Sequence, residues 1–357
     1  MSGSAKQMSR YRKFWFYVLT VFLMFIGIEF ALHVVHLAVK GTFFWNLCPG
    51  EFNVRGFSKP VSDSRYVTII PNYSIEKYQE GALQWGLSTD EFGFRKGSYN
   101  TNNTGKNIVF IGDSVLFGWG VGDSETIPSH LGQILKKEGI DYGIINAAMP
   151  SYSLDQAVQR YKQEIANRFQ GTYIVLEAYD PASQFALFGR EWDPSRNWTT
   201  QTPLMRIQPL EKKFICESVV YNLLWRKLAS KESSYYQEKL DIHDQEAASK
   251  YVQAIRSSLD DLVNSSPRAT RIFLISIAIS ESTLLQLSHQ RLYSIELMRK
   301  TLEQFAASHP DKVTFLDART LFQGQQNEKN FLDCCHVTPL GAQLQAKKIY
   351  DLLKLQK

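Results

Sequence analysis

The stretch Asn107–Gly120, NIVFIGDSVLFGWG, decides how the chain is to be read. Its first five residues are a continuous apolar run of strand length, and the glycine after them permits a tight turn. Unbroken rather than alternating apolar character marks a strand covered on both faces, as in a parallel sheet. Four further runs repeat the pattern: Tyr142–Asn146 (YGIIN), Tyr173–Ala178 (YIVLEA), Arg271–Ala278 (RIFLISIA) and Val313–Asp317 (VTFLD). Stretches with helical periodicity lie between or after them, at Ser124–Glu138, Ser153–Arg168, Asp244–Val263, Glu281–Ala307 and Pro339–Leu355. This alternation predicts an α/β fold, a flavodoxin-like, doubly wound three-layer sandwich about a central parallel sheet.

Outside that core the chain changes character. Residues 1–13 are a basic tail. Phe14–Val39 is one apolar segment interrupted only by Glu29, His33 and His36. Its 26 residues make a helix of about 39 Å, longer than a bilayer core of roughly 30 Å requires. It exceeds a signal-peptide core, and no small-residue cleavage pattern follows, so a transmembrane signal anchor is expected. Asn46-Leu47 before Cys48 is not a lipobox. With basic residues in front, the N-terminus is expected in the cytoplasm and the rest of the chain outside it. Glu29, His33 and His36 share one helix face, which sits near the outer interface or docks a membrane partner. Residues 40–105 read as an aromatic, Asn- and Gly-rich lead-in that ends in DEFGFR (Asp90–Arg95) and packs on the domain, 106–357. Within that domain, 181–240 reads as an insertion over the site.

Charge excludes one class of partner. The net charge is +5, but Lys6, Arg10, Arg12 and Lys13 carry four of those charges, and no basic run marks a nucleic-acid face. The four cysteines, Cys48, Cys216, Cys334 and Cys335, form no CxxC pair. Cys334 and Cys335 cannot hold a metal alone, so no metal is expected, and no cofactor. Export would permit a disulfide. Gly118, Gly120 and Gly122 match no phosphate-binding loop.

The chemistry is concentrated at two places. Gly112-Asp113-Ser114 follows the first strand directly, and ligands of doubly wound sheets bind at the carboxyl ends of the strands. Asp333-Cys334-Cys335-His336 precedes the last helix. A serine hydroxyl needs an imidazole to remove its proton, and the imidazole needs a carboxylate to fix its tautomer. Of the seven histidines, only His336 has an acid at that spacing. His33 and His36 lie in the anchor, and His130, His243, His289 and His309 fall on predicted helices or their ends.

These residues together resemble the SGNH/GDSL hydrolase superfamily over about Asp90 to Leu355, with the anchor and GFR lead-in similar to its membrane-tethered, alginate-acetylation-type branch. The resemblance implies Ser114 as nucleophile, with its N–H in the oxyanion hole, and Asp333 and His336 as the remaining triad. IINAAMPSYS departs from the family's N-x-G-x-P-G-Y-S, with Ala148 in place of a glycine that donates to the oxyanion. LEAYDPAS has Tyr179 beside Asp180 where the family carries an asparagine, so Tyr179 would have to supply the third donor through its hydroxyl. Trp119, Asp113 and Asp180 are expected to line the substrate.

The expectation is a serine esterase or O-acyltransferase on an extracytoplasmic envelope glycan. By the resemblance, the transferase version works beside a membrane-bound O-acyltransferase met through the Glu29/His33/His36 face. Two other classes stay open: a catalytically impaired glycan-binding or assembly factor, and a lipase or thioesterase.

Overall fold

In a computed structural model, the structure describes residues 10–40, 57–60, 67–80, 83–99, 106–150, 152–169, 171–178, 190–191, 200–201, 218, 220, 245–287, 289–322 and 327–353. Tyr179, Asp180, Cys48, Cys216 and most of the 181–240 insertion therefore lie outside the described residues. The chain divides into two compact units, Met1–Asn53 with Pro203–Glu232, and Val54–Thr202 with Ser233–Lys357.

In the first unit, helix α1 spans Arg10–Lys40. Arg10–Val35 is long and apolar enough to cross a membrane, as a single-pass anchor or a signal sequence would be. Glu29 does not stand alone on that helix. It pairs with His33 one turn on, at 3.2 Å, and accepts from Ser218 Oγ at 3.2 Å and the Val220 N–H at 3.1 Å. A carboxylate on an apolar helix is costly unless partnered, and here partners come from the same chain.

The second unit holds the predicted sheet. Strands β5 (Asn107–Ile111), β6 (Gly143–Asn146), β7 (Gly171–Ala178), β10 (Arg271–Ser276) and β11 (Val313–Leu316) are all parallel, in the order β11-β10-β7-β5-β6, while β8 (Arg190–Glu191) and β9 (Thr200–Gln201) form a separate antiparallel pair. Counted along the sheet's own strands this is 2-1-3-4-5, the flavodoxin-like order, whose switch point lies between the first and third strands. Ile108, Val109, Phe110 and Ile111 have no exposed surface, and each such side chain contributes roughly 1.5–3 kcal/mol by leaving water. The helix Ile127–Glu138 starts at Thr126, whose side chain accepts from the Ser129 N–H. Ser153 and Gln156 form a reciprocal capping box at the start of the next helix, Leu154–Arg160. That helix passes into a π-helical turn at Tyr161–Ile165 instead of continuing regularly to Arg168. The expected helix 281–307 is likewise divided, into Glu281–Leu284 and His289–Ser308.

The lead-in is more ordered than its lack of periodicity suggests. Strands β1 (Ser58–Pro60) and β2 (Val67–Ile69) pair antiparallel, as do β3 (Ser74–Glu80) and β4 (Leu83–Ser88). The DEFGFR segment then closes on the sheet. Asp90 Oδ1 accepts from the Phe92 and Phe94 N–H groups at 2.9 and 2.8 Å. The Arg95 N–H donates to the Asn146 carbonyl at 3.0 Å, so the segment caps the end of β6.

Arg95 is fully buried. Nε donates to Asp123 Oδ1 at 3.1 Å, Nη1 to the Phe117 carbonyl at 2.9 Å and to the Gly118 carbonyl, and Nη2 to the carbonyls of Gly86 (3.2 Å) and Val121 (2.6 Å). A guanidinium has five N–H donors in a planar fork, and all five are engaged. Arg95→Met should leave those carbonyls unpaired inside the protein and cost about 3 kcal/mol or more, read as a lower melting temperature of the detergent-solubilised protein. Arg95→Lys should recover only part of the loss, since an ammonium offers three donors.

Candidate active site

The site begins where β5 ends. Gly112 has φ +150°, and a Cβ there would stand 2.9 Å from the Glu177 carbonyl oxygen of β7. Only glycine lets the two strand ends approach so closely. Asp113 caps the short helix α2 (Ser114–Phe117), its carboxylate accepting from the Val115 N–H at 3.0 Å. Ser114 is thus the first residue of α2, where the backbone N–H has no acceptor within the helix. Gly118 ends α2 at φ +87° and donates to the Ser114 and Val115 carbonyls. Asn146 braces the same turn, its amide donating to the Leu116 carbonyl at 3.1 Å.

The second half comes from the segment before the last helix. Phe331 and Val337 form an antiparallel bridge, and the Leu332 N–H donates to the His336 carbonyl at 2.7 Å. Asp333 folds this loop about its own side chain: Oδ1 accepts from the Cys335 and His336 N–H groups at 3.1 and 2.9 Å. Its other oxygen, Oδ2, meets His336 Nδ1 at 2.7 Å. His336 Nε2 then reaches Ser114 Oγ at 2.8 Å. The sequence-predicted Ser114, His336 and Asp333 form one unbroken hydrogen-bonded chain. Thr338 opens the last helix, Pro339–Leu353, and accepts from the Gly341 N–H at 3.2 Å.

Electrostatics follow from this arrangement. Burial works against an ionised Asp333, but the hydrogen bond and charge of His336, with the His336 and Cys335 backbone N–H groups, together outweigh it and hold the carboxyl down at about 2. Burial also disfavours an imidazolium, yet Asp333 more than compensates and His336 sits above its usual 6.5. This imidazole can take a proton from Ser114 and keep the resulting charge beside a carboxylate.

The other predicted residues fall differently. Asp113 is 2% exposed and points inward beneath Ser114, capping α2 rather than lining a substrate surface. Trp119 is 5% exposed. It packs with Trp85, Tyr78 and Phe57 at centroid separations of 4.9, 5.6 and 6.3 Å, and lies 6.4 Å from the His336 ring. It therefore backs the imidazole from within an aromatic cluster instead of offering an open wall. Ala148 is fully buried, and its N–H donates to Asn146 Oδ1 at 3.3 Å. That donor is turned into the turn that carries it, away from the oxyanion role expected of it.

Glu177 was not singled out in the sequence, where LEA reads as plain strand. It lies on β7 beside Gly112, is 2% exposed, and faces Asp113. Burial pushes both carboxyls up, and Asp113 pushes Glu177 well above its usual 4.5. The nearby His336 and the Val115 N–H favour charge on Asp113, so Glu177 carries the proton of the pair. An acid within an otherwise apolar central strand was the available clue.

No family model matches the chain, and no curated protein matches it. Among solved structures it is similar to TesA, at 14% identity over 70% of this chain and 98% of that one, with a TM-score of 0.38. It is also similar to Axe2, an acetylxylan esterase from Geobacillus stearothermophilus, at 12% identity over 72% and 97% of the chains and a TM-score of 0.44. A lipolytic protein of the G-D-S-L family from Veillonella parvula gives 14% identity over 70% and 100%, with a TM-score of 0.42. These likenesses are loose, and the chemistry of the site is carried by its own geometry.

A carboxyl raised by folding stabilises fully below its unfolded pKa, and that contribution is lost as pH rises through its folded pKa. Glu177 is raised from 4.5, so its cost should appear above that pH. Glu177→Gln keeps a hydrogen-bond donor and has no proton to lose. Its melting temperature relative to wild type should therefore climb as pH is raised from about 4.5 towards 8. An unchanging difference across that range would mean that folding does not raise the Glu177 carboxyl above its unfolded value.

Proposed function

We propose that this chain is a membrane-anchored serine esterase or O-acyltransferase of the SGNH/GDSL kind, working through an acyl-enzyme on Ser114. The observation that carries the reading is the Asp333–His336–Ser114 chain, 2.7 and 2.8 Å, at the carboxyl end of β5. His336 Nε2 removes the Ser114 proton as Oγ attacks an ester carbonyl, and Asp333 holds the imidazolium. The imidazolium then protonates the departing alcohol, leaving the acyl group on Ser114. In the second half His336 activates an incoming hydroxyl. Water makes the enzyme an esterase; a sugar hydroxyl makes it a transferase.

The Ser114 N–H, at the first position of α2, is the oxyanion donor in this reading, and the Tyr179 hydroxyl is its proposed companion. The apolar helix Arg10–Val35, which opens with Arg10, Arg12 and Lys13, supports an anchor with the domain outside the cytoplasm. A tethered enzyme there meets envelope glycans, the proposed substrate class. Outside the cytoplasm an acyl donor must be passed across the membrane, which favours a membrane-bound O-acyltransferase as partner if transfer is the reaction.

A fluorophosphonate should label Ser114 and no other serine, as peptide mass spectrometry would read. Ser114→Ala and His336→Ala should each lower turnover of a short-chain aryl ester by about 10³-fold or more, with the double variant little worse than either, because the residues act as a unit. Additive losses would mean that they do not share a step.

The base must be neutral to act, so kcat/KM should rise with pH along a one-proton limb centred above 6.5, the value from which His336 is raised. Asp333→Asn should move that limb downward, because burial then opposes only the weaker upward pull of Asp113 and Cys334 on the imidazole, and should reduce the plateau about 10²- to 10⁴-fold. A limb that stays in place in Asp333→Asn would remove Asp333 from the triad.

A further inference from the structure

Cys334 and Cys335 lie between the carboxylate and the imidazole of the triad, and the mechanism above gives neither a task. Their sulfurs are 3.1 Å apart, against about 2.05 Å in a disulfide, so closing the pair requires about 1 Å of travel. Cys334 is exposed and Cys335 buried. Both sulfurs and a carboxylate oxygen of Asp333 lie within 4.8 Å of one another. The peptide unit joining the two cysteines is held at both ends. Its carbonyl, on Cys334, accepts from the Ser280 N–H at 2.8 Å; its N–H, on Cys335, donates to Asp333 Oδ1 at 3.1 Å.

We propose that this vicinal dithiol is an oxidation site, at which a peroxide closes a disulfide between neighbouring residues and disengages Asp333 from His336; its effect on turnover rests on the reading of Ser114 as nucleophile. The hydrogen bond between the two sulfurs lowers Cys334 to about 7 and, with burial, raises Cys335. One sulfur is therefore the exposed nucleophile and the other its buried resolving partner. The Cys334 thiolate attacks a peroxide oxygen; the S–O bond forms, the O–O bond breaks, and hydroxide leaves and is protonated to water. The sulfenic acid on Cys334 is then attacked by Cys335. The S–S bond forms, the S–O bond breaks, and hydroxide leaves with the Cys335 proton as a second water. In sum two thiols lose two protons and two electrons, and one peroxide becomes two waters. An external dithiol reverses the step by exchange and leaves as its own disulfide.

Geometry connects this chemistry to the triad. Adjacent Cα atoms are 3.8 Å apart, whereas disulfides usually span about 4.4–6.8 Å. A ring between neighbours must therefore reorient the peptide it encloses. That peptide is the one bonded to Ser280 and Asp333, so turning it releases both bonds together. Asp333 loses one of the two N–H groups that aim its other oxygen at His336 Nδ1.

The test uses the full-length protein in detergent with Cys48→Ser and Cys216→Ser, so that only the vicinal pair can react. Mild hydrogen peroxide should remove two hydrogens from the peptide containing residues 331–337, and dithiothreitol should restore them. The pKa of His336, followed by NMR of ¹³C-labelled histidine, should lie above 6.5 in the reduced protein, the value from which it is raised, and fall on oxidation. Fluorophosphonate labelling of Ser114 should fall about 10²-fold, the scale of a lost general base. Adding Cys334→Ser should abolish all three responses. Oxidation that runs to sulfinic acid on Cys334 without a ring overturns the proposal, as does a ring that leaves the His336 titration unmoved. A reduced protein whose Ser114 never labels refutes the esterase reading instead, while the His336 titration still decides for or against the switch.

Discussion

The buried guanidinium of Arg95 is the constraint on which the site depends. It comes from the lead-in, outside the sheet, yet it engages the carbonyls of Phe117, Gly118 and Val121. Those carbonyls lie at the end of α2 and in the turn after it, where helix geometry leaves acceptors without donors. Four residues are too few for a helix to hold itself. Arg95 supplies the donors and Asn146 adds one more at Leu116, so the turn that presents Ser114 is fastened from below. The lead-in is thereby part of the site's machinery.

Around that fixed turn the protein handles its acids in opposite ways. Asp333 is half-exposed, accepts three hydrogen bonds and is held as an anion. Asp113 and Glu177 are buried together behind the nucleophile, where two charges side by side would be expensive. One shared proton lets Asp113 cap α2 while Glu177 stays neutral. The difference between an anion that orients the base and an acid pair that supports the turn is made by burial and by the number of N–H groups each carboxyl meets.

Much of this was legible in the residues. The five sheet strands stand within a residue or two of their apolar runs, because a strand covered on both faces must be apolar throughout. Glycine after a strand, then Asp-Ser, is turn-and-cap chemistry that acts over three residues. The Asp333–His336 spacing likewise suits a loop that wraps on its own side chain. The lead-in strands β1 to β4 were not legible, since short pairs are held by what they pack on and show no periodicity of their own. The breaks in the helices at 161–165 and 285–287 carry no glycine or proline to announce them.

The sequence by itself therefore determined the α/β class, the apolar N-terminal helix, and the two segments that hold the nucleophile and its base, all of them features that close within a few residues. Only the tertiary structure brought Ser114 and His336, 222 positions apart, to 2.8 Å, by placing β5 at the switch point of the sheet. It also decided which way side chains face. Asp113 and Trp119, expected to meet substrate, are buried, and the Ala148 N–H is turned toward Asn146. Glu177, unremarkable in its strand, lies under the nucleophile because β7 and β5 are neighbours. Local periodicity encodes which residues turn, cap and pack, whereas facing and partnership depend on strand order, which no short stretch contains.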